Sequence, residues 1–141
     1  DRVAWGCASS WRHDCVEVFW DARPPEQRTD EPREGAGRLL VAPPADGKAP
    51  APAWRLYGRS DPPKHEIAFR RRKGGYVCEV SLDLASLGLP IPLPAGRPIA
   101  LALQVDDRDG EAEDATQTHV NIVGRNALYR STYCYILWVP Q

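Results

Sequence analysis

The sequence predicts an all-β fold, an antiparallel β-sandwich formed by residues 1–141 as a single domain. Seven or eight short segments alternate apolar and polar side chains, which is the two-residue period of a β-strand. The 14 Pro and 11 Gly residues separate these segments with turns and leave little room for long helices. One short helical turn is predicted, and 141 residues are enough for one domain with its own core.

The overall composition argues against several classes of binding partner. The formal net charge is −1, so no global positive field favours nucleic acid or an acidic membrane surface. No run of ~18 apolar residues occurs, so the sequence predicts no membrane span. It contains no signal peptide either, and in an exported protein we expect that segment to be removed.

The first strand is predicted over Cys15–Asp21. Its side chains divide between two faces, with Val16, Val18 and Trp20 on one and Cys15, Glu17, Phe19 and Asp21 on the other. A carboxylate between two valines costs burial free energy unless its face meets water, a partner or a ligand. Glu17 is therefore the first indication of function.

The middle of the chain alternates loops and strands. Residues 22–37 are rich in Arg, Pro and acidic side chains and predict a long exposed loop. Residues 38–42 and 54–58 predict short strands. Residues 65–71 and 75–83 predict a hairpin, because a tight Lys-Gly-Gly turn joins two alternating segments. The basic run at residues 70–73 is typical of a solvated turn.

The second half begins with the predicted helical turn at residues 83–88, capped by Asp83 and closed by Gly88. The clearest strand covers residues 99–106, and the last two strands are predicted at 119–123 and 133–139. One face of the clearest strand is apolar, whereas the other carries small and polar residues: Ala100, Ala102, Gln104 and Asp106.

The four cysteines allow three disulfide pairings, and the sequence does not choose among them. Cys7 and Cys15 are close enough to close one loop, and Cys78 and Cys134 could meet across a sheet. The alternative is that they are small buried residues without a disulfide. None has the short C-x-x-C spacing of a zinc site.

Catalysis is not predicted. The three histidines are scattered, no serine lies in a nucleophile elbow, and no Gly-rich phosphate loop is present. Glu17 and Asp107 could form a glycosidase pair, but their strands also offer amides and aromatics, which bind sugars without cleaving them. The acidic residues 106–111 are an alternative calcium site, although they lack the EF-hand pattern and Arg108 interrupts them. No metal ligands are assigned.

Binding of a ligand is better supported. Gln104 stands among alanines on one strand face, and Glu17 stands opposite the valines of another. If these strands are neighbours, small residues leave space and the two polar groups hydrogen-bond a ligand. Trp11 and Tyr129 lie just outside strands, where aromatic rings are free to stack.

Three motifs resemble a family of binding modules. Trp11 is followed by the Asp-Cys-Val-Glu-Val-Phe-Trp-Asp strand at residues 14–21, later by Leu-Gly-Leu at 87–89, and then by Gln-Val-Asp-Asp at 104–107. From Trp11 onward the chain resembles family 9 carbohydrate-binding modules, which belong to the DOMON-like β-sandwiches, a jelly-roll or immunoglobulin-like architecture. The resemblance implies non-catalytic binding of a terminal sugar of a polysaccharide.

The resemblance also implies a set of contacts. Trp11 would be the first stacking ring, and Tyr129 would be the second, with Asn126 beside it. Glu17, Gln104 and Asp107 would hold the sugar hydroxyls. Calcium occurs in the family, and its ligands are not placed here. The module would be secreted or periplasmic, and attached or accessory to a glycoside hydrolase or a cell-surface protein.

Family members have further strands before the Trp-containing loop, so this domain is expected to be N-terminally incomplete. A missing segment, another chain or self-association would then cover the exposed sheet edges.

Two other functions are open. A DOMON-like domain could bind haem or a redox cofactor. The chain has no Met, a frequent iron ligand, but His13 or His119 could serve together with a Lys. A structural β-sandwich could instead bind proteins, with Trp11 and Tyr129 as interface anchors.

Overall fold

A computed structural model of the chain describes residues 14–44, 52–58, 61–89, 91–93, 95–109, 116–123 and 136–138. Within these ranges the protein is all-β, as predicted, with two isolated 3-10 turns at Pro25–Gln27 and Ala85–Leu87. The strands are β1 (Cys15–Asp21), β2 (Ala36–Val41), β3 (Pro52–Leu56), β4 (His65–Arg72), β5 (Gly75–Leu82), β6 (Ile99–Asp109), β7 (Thr116–Val123) and β8 (Ile136–Trp138). No helix in this described part of the chain is long and apolar enough to cross a membrane.

The strands form two antiparallel sheets. The larger sheet has the order β3-β2-β1-β6-β7, and β8 pairs with the start of β6. The smaller sheet is the predicted hairpin of β4 and β5. β1 therefore lies in the middle of the larger sheet, between β2 and β6. A central strand is fixed by hydrogen bonds on both edges, which makes β1 a rigid platform for side chains.

The hairpin packs against one face of the larger sheet. The core of this contact includes Trp20, Leu39 and Ile99 from the sheet, and Ile67 and Val80 are among the hairpin residues packed against it. This is the apolar face that the alternation in β1 and β6 predicts. Gly37 is required there, because a Cβ atom at this position would lie 2.2 Å from Cζ2 of the Trp20 ring.

Several predicted boundaries are wrong. The loop predicted to end at residue 37 ends earlier, because Ala36 and Gly37 already pair with β1. It also contains the turn at Pro25–Gln27, so the prediction of one helical turn becomes two. Arg23 shapes this loop by donating from Nη2 to Oδ2 of the buried Asp21, at 2.7 Å. The other turn forms at Ala85–Leu87 and is closed as predicted by Gly88, at a φ of +85°, but its N-cap is Leu84 and not Asp83.

The predicted disulfides are also wrong where the structure describes them. Cys15 and Cys78 are free thiols, so neither the Cys7–Cys15 nor the Cys78–Cys134 pairing forms. Cys7 and Cys134 themselves lie outside the described residues. Within the described structure Cys15 is a buried sheet residue and Cys78 a half-buried hairpin residue, which is the alternative that the sequence left open.

Candidate ligand-binding site

A row of polar side chains lies on the face of the larger sheet that turns away from the hairpin. The β1–β6 register places Glu17 opposite Gln104 and Cys15 opposite Asp106. The prediction that Glu17 and Gln104 lie on neighbouring strands is therefore confirmed. β2 contributes Arg38, which pairs in register with Phe19 and reaches Glu17. We call the five residues Cys15, Glu17, Arg38, Gln104 and Asp106 the polar row.

Hydrogen bonds connect the members of the polar row. Asp106 accepts two of them, from Gln104 Nε2 to Oδ1 at 2.8 Å and from Cys15 Sγ to Oδ2 at 3.3 Å. Arg38 donates from Nη2 to Oε1 of Glu17 in an ion pair. Hydrogen bonds to ionised groups are stronger than those between neutral groups, so these contacts fix the orientation of the side chains.

Burial controls the protonation of this row. Glu17 is 2% exposed, and the loss of solvation raises the pKa of its carboxyl to about 7, against the opposing effect of the Arg38 charge. Burial also raises the pKa of the Cys15 thiol far above its usual range, and the Asp106 charge adds to this. The thiol is therefore neutral and acts as a hydrogen-bond donor, whereas Glu17 titrates near neutrality.

Arg38 is the functional candidate that the sequence analysis missed. Its guanidinium carbon lies 5.4 Å from the centre of the Phe19 ring, and its Nε is buried without a hydrogen-bond partner among the described residues. A buried donor without an acceptor costs about 1–3 kcal/mol. The signal in the sequence was the position of Arg38 directly before Leu-Leu-Val, a charge in an apolar strand like that of Glu17.

The structure separates the predicted site residues. Glu17 and half-buried Gln104 belong to the polar row, but Asp107 is exposed and lies on the other face of β6, where it borders a cavity. Asp106 takes its place beside Gln104. Trp11, Asn126 and Tyr129 lie outside the described residues, so the stacking rings stay predictions.

The space predicted beside the alanines of β6 is also filled. Ala100 and Ala102 are buried in a cluster with Phe19. The strand itself extends to Asp109, because its last residues pair with the start of β7. The first residues of the proposed calcium segment are therefore part of a strand.

Three members of the polar row offer potential metal ligands. The ligand atoms of Cys15, Glu17 and Asp106 lie within 4.8 Å of one another. Calcium takes roughly six to eight oxygen ligands, and this group contains a neutral thiol and a carboxylate that Arg38 already neutralises. The donor set does not fit calcium, and the hydrogen bonds account for the arrangement.

No protein-family model, curated protein sequence or solved structure matches the chain. The membership of a carbohydrate-binding family that the motifs around Trp11 and Glu17 indicate therefore stays a prediction. The geometry of the polar row is the observation from which a function can be argued.

Proposed function

We propose that the chain is a non-catalytic carbohydrate-binding module with a β-sandwich fold, and that the polar row holds the hydroxyl groups of a sugar. The observation that carries this proposal is the partly exposed guanidinium of Arg38, which Glu17 holds on the same sheet face as the half-buried amide of Gln104. Sugar hydroxyls both accept and donate hydrogen bonds, so a guanidinium beside an amide suits a pair of adjacent hydroxyls.

The exposure of the polar row divides its members by role. Arg38, whose side chain is 15% exposed, and half-buried Gln104 reach the surface and contact the sugar. Glu17 lies behind Arg38 and holds its guanidinium in place. Asp106 fixes the amide of Gln104 through the 2.8 Å hydrogen bond. Asp107 is left out of this contact set, because it lies on the other face of β6.

Stacking completes the proposed site. Apolar faces of a sugar ring pack on aromatic side chains, which have a large surface and few rotatable bonds. Trp11 and Tyr129, with Asn126, remain our candidates from the sequence for this contact. A module of this kind would bind the end of a polysaccharide outside the cytoplasm, as part of or beside a degrading enzyme.

Binding is favoured over catalysis by burial. A retaining glycosidase needs one carboxylate to attack the sugar and another to donate a proton. Glu17 and Asp106 are both almost completely buried, and each is engaged by another member of the polar row. The accessible members are an amide and a guanidinium, which are groups that hold a ligand.

Calorimetric titration with glucose, xylose and their β-1,4-linked oligosaccharides tests this function. We expect at least one sugar to bind, and we expect Gln104→Ala and Trp11→Ala each to weaken it about tenfold, since each removes roughly one good contact. Glu79→Gln, an exposed change on the hairpin, serves as the matched control. No binding at millimolar sugar would overturn the function. Unchanged binding in both variants would instead show that the site is wrong.

A further inference from the structure

A cavity of about 760 Å³ lies on the opposite face of the same strands, between the larger sheet and the hairpin. Its apolar wall is formed by side chains of β1, β5 and β6: Val16, Val18, Val80, Leu103 and Val105. Tyr76 and Cys78 of the hairpin border it as well, and the exposed Gly74 and Gly75 lie at its rim. Its size falls within the range of roughly 300–1,000 Å³ that holds a small organic molecule.

The apolar wall is open where a core would be closed. Val16 and Val18 are only half-buried, although they lie in a central strand. Farther along the same face, Trp20 and Ile99 are buried in the core that Leu87 and Leu89 help to form. Apolar surface left open to water is unfavourable by about 25 cal/mol per Å², so an apolar occupant gains free energy by covering this wall.

Carboxylates lie at one end of the cavity. Asp14 directly precedes β1, and Asp107 follows Val105 by two residues on the same face of β6, so both border the cavity. Asp106 borders it as well, but its carboxylate already accepts hydrogen bonds from Gln104 and Cys15. No Lys, Arg or His is among the described residues that line it, and Arg71, which pairs with Tyr76 in the hairpin, is exposed and outside the lining. The charged side chains among the described lining residues are therefore all carboxylates.

Tyr76 lies at the same end. Burial, followed by the charge of Asp14, raises the pKa of the Tyr76 hydroxyl above its usual range, so the ring carries a neutral hydroxyl. Its ring also extends the apolar wall and lies 5.5 Å from that of Phe69, measured between ring centres. An aromatic face beside carboxylates is a favourable environment for an organic cation.

We propose that this cavity is a second binding site, for a small organic ammonium ion whose apolar body lies on the valine wall and whose charge is held by Asp14 and Asp107. The cavity lies on the opposite face of β1 from Glu17, and it meets the polar row at Asp106, which is among its lining residues. It does not depend on the proposed carbohydrate binding.

Two probes with the same ring and opposite charge test the proposal. 1-Naphthylmethylammonium is titrated into the full chain by calorimetry, and 1-naphthylacetate is titrated under the same conditions. We expect the ammonium ion to bind at least about tenfold more tightly, because two carboxylates each attract it and repel the acetate. Failure of the ammonium ion to bind at millimolar concentration would overturn the proposal.

Variants separate charge from apolar contact. Asp107→Asn, at an exposed position, is expected to lower the affinity for the ammonium ion about fivefold. The affinity for the acetate should stay unchanged or rise. Glu79→Gln, on the outer surface of the hairpin, removes the same charge outside the cavity and should change neither affinity. Equal binding of the two probes, with no effect of Asp107→Asn, would overturn the assignment of a cation.

A third variant and a second measurement locate the site. Val105→Phe fills the cavity and should abolish binding of the ammonium ion. If that variant does not unfold cooperatively, the alkylation rate of Cys78 in the wild type replaces it, since a bound ammonium ion should slow this reaction. No protection of Cys78 despite binding would contradict the site. A dimer in sedimentation that Val105→Phe dissociates would show that a second copy covers the wall, which also overturns the proposal.

Discussion

The two faces of β1 differ in burial, and the polar face is more deeply buried than the apolar one. Cys15, Glu17 and Phe19 point to one face and are at most 2% exposed, whereas Val16 and Val18 point to the other and are half-buried. Neighbours in the chain thus have opposite environments, and the polar face is the better buried. The valines lie where the hairpin leaves a cavity, at the end of the sheet near Asp14.

This difference shows that burial in a sheet depends on what the opposite layer supplies. Glu17 is tolerated in a buried position because Arg38 neutralises it, and Asp106 because Gln104 and Cys15 donate to it. On the apolar face, the opposite layer buries Trp20 and Ile99 but leaves Val16 and Val18 only half-buried. Each face therefore offers a ligand a different chemistry.

The largest expected effect comes from breaking the polar face. Arg38→Met leaves a carboxylate buried without its partner, so we expect a loss of about 3–5 kcal/mol in the free energy of unfolding at pH 8. Denaturant titration measures it, and the exposed Arg72→Met is the control. The double variant Arg38→Met/Glu17→Leu should recover most of the loss. A loss of less than about 1 kcal/mol would contradict a dominant role for the ion pair.

The apolar face should respond differently at its two ends. Leu39→Ala, in the closed core, is expected to cost about 2–5 kcal/mol, because it leaves a cavity among packed side chains. Val105→Ala, at the open end, should cost about 1 kcal/mol or less, since part of the side chain is already in contact with water. Thermal and denaturant unfolding compare the two. Equal losses would mean that the cavity is as closed as the core.

Stability should depend on pH through Glu17. The pKa of Glu17 is about 7 in the folded chain against an ordinary value of 4.5, because burial disfavours its charge. The favourable contribution of Glu17 to the free energy of unfolding is therefore complete below about pH 4.5. It is lost as the pH rises to 7, by an amount on the order of 1–3 kcal/mol. In Glu17→Gln this part of the pH profile should be flat. Identical profiles for wild type and variant would rule out a raised pKa.

The smallest effect is a difference in thiol reactivity between the two faces. Burial raises the pKa of Cys78 to about 11 and that of Cys15 further, and the thiolate is the reactive form. We expect iodoacetamide at pH 8 to modify Cys78 slowly and Cys15 at least about tenfold more slowly. Mass spectrometry of the two peptides gives both rates. Faster modification of Cys15 would show that the polar face opens.

The local pattern predicted a large part of the fold. β1 was predicted with both of its ends, because two-residue alternation is visible in seven consecutive residues. The hairpin followed from its Lys-Gly-Gly turn, and the turn at Gly88 from a residue that adopts positive φ easily. Loop ends were less accurate, because the pairing of Ala36 with β1 depends on a distant partner and not on neighbours in the chain.

The candidate site was predicted in part. Glu17 and Gln104 stood out as polar residues on strand faces, and they are cross-strand neighbours. The resemblance indicates Asp107, whereas alternation along β6 puts Asp106 on the face of Gln104. Arg38 could be noticed as a charge in an apolar strand, but its contact with Glu17 required the register of β1 with β2.

By itself the sequence determined which segments form strands and how their side chains divide between two faces, because both follow from the period of an extended chain. Only the tertiary structure decided which face is closed. That choice depends on where the hairpin lies over the sheet and on which charges meet across strands, and both are set by contacts between residues far apart in the chain. The free thiols of Cys15 and Cys78 were decided in the same way.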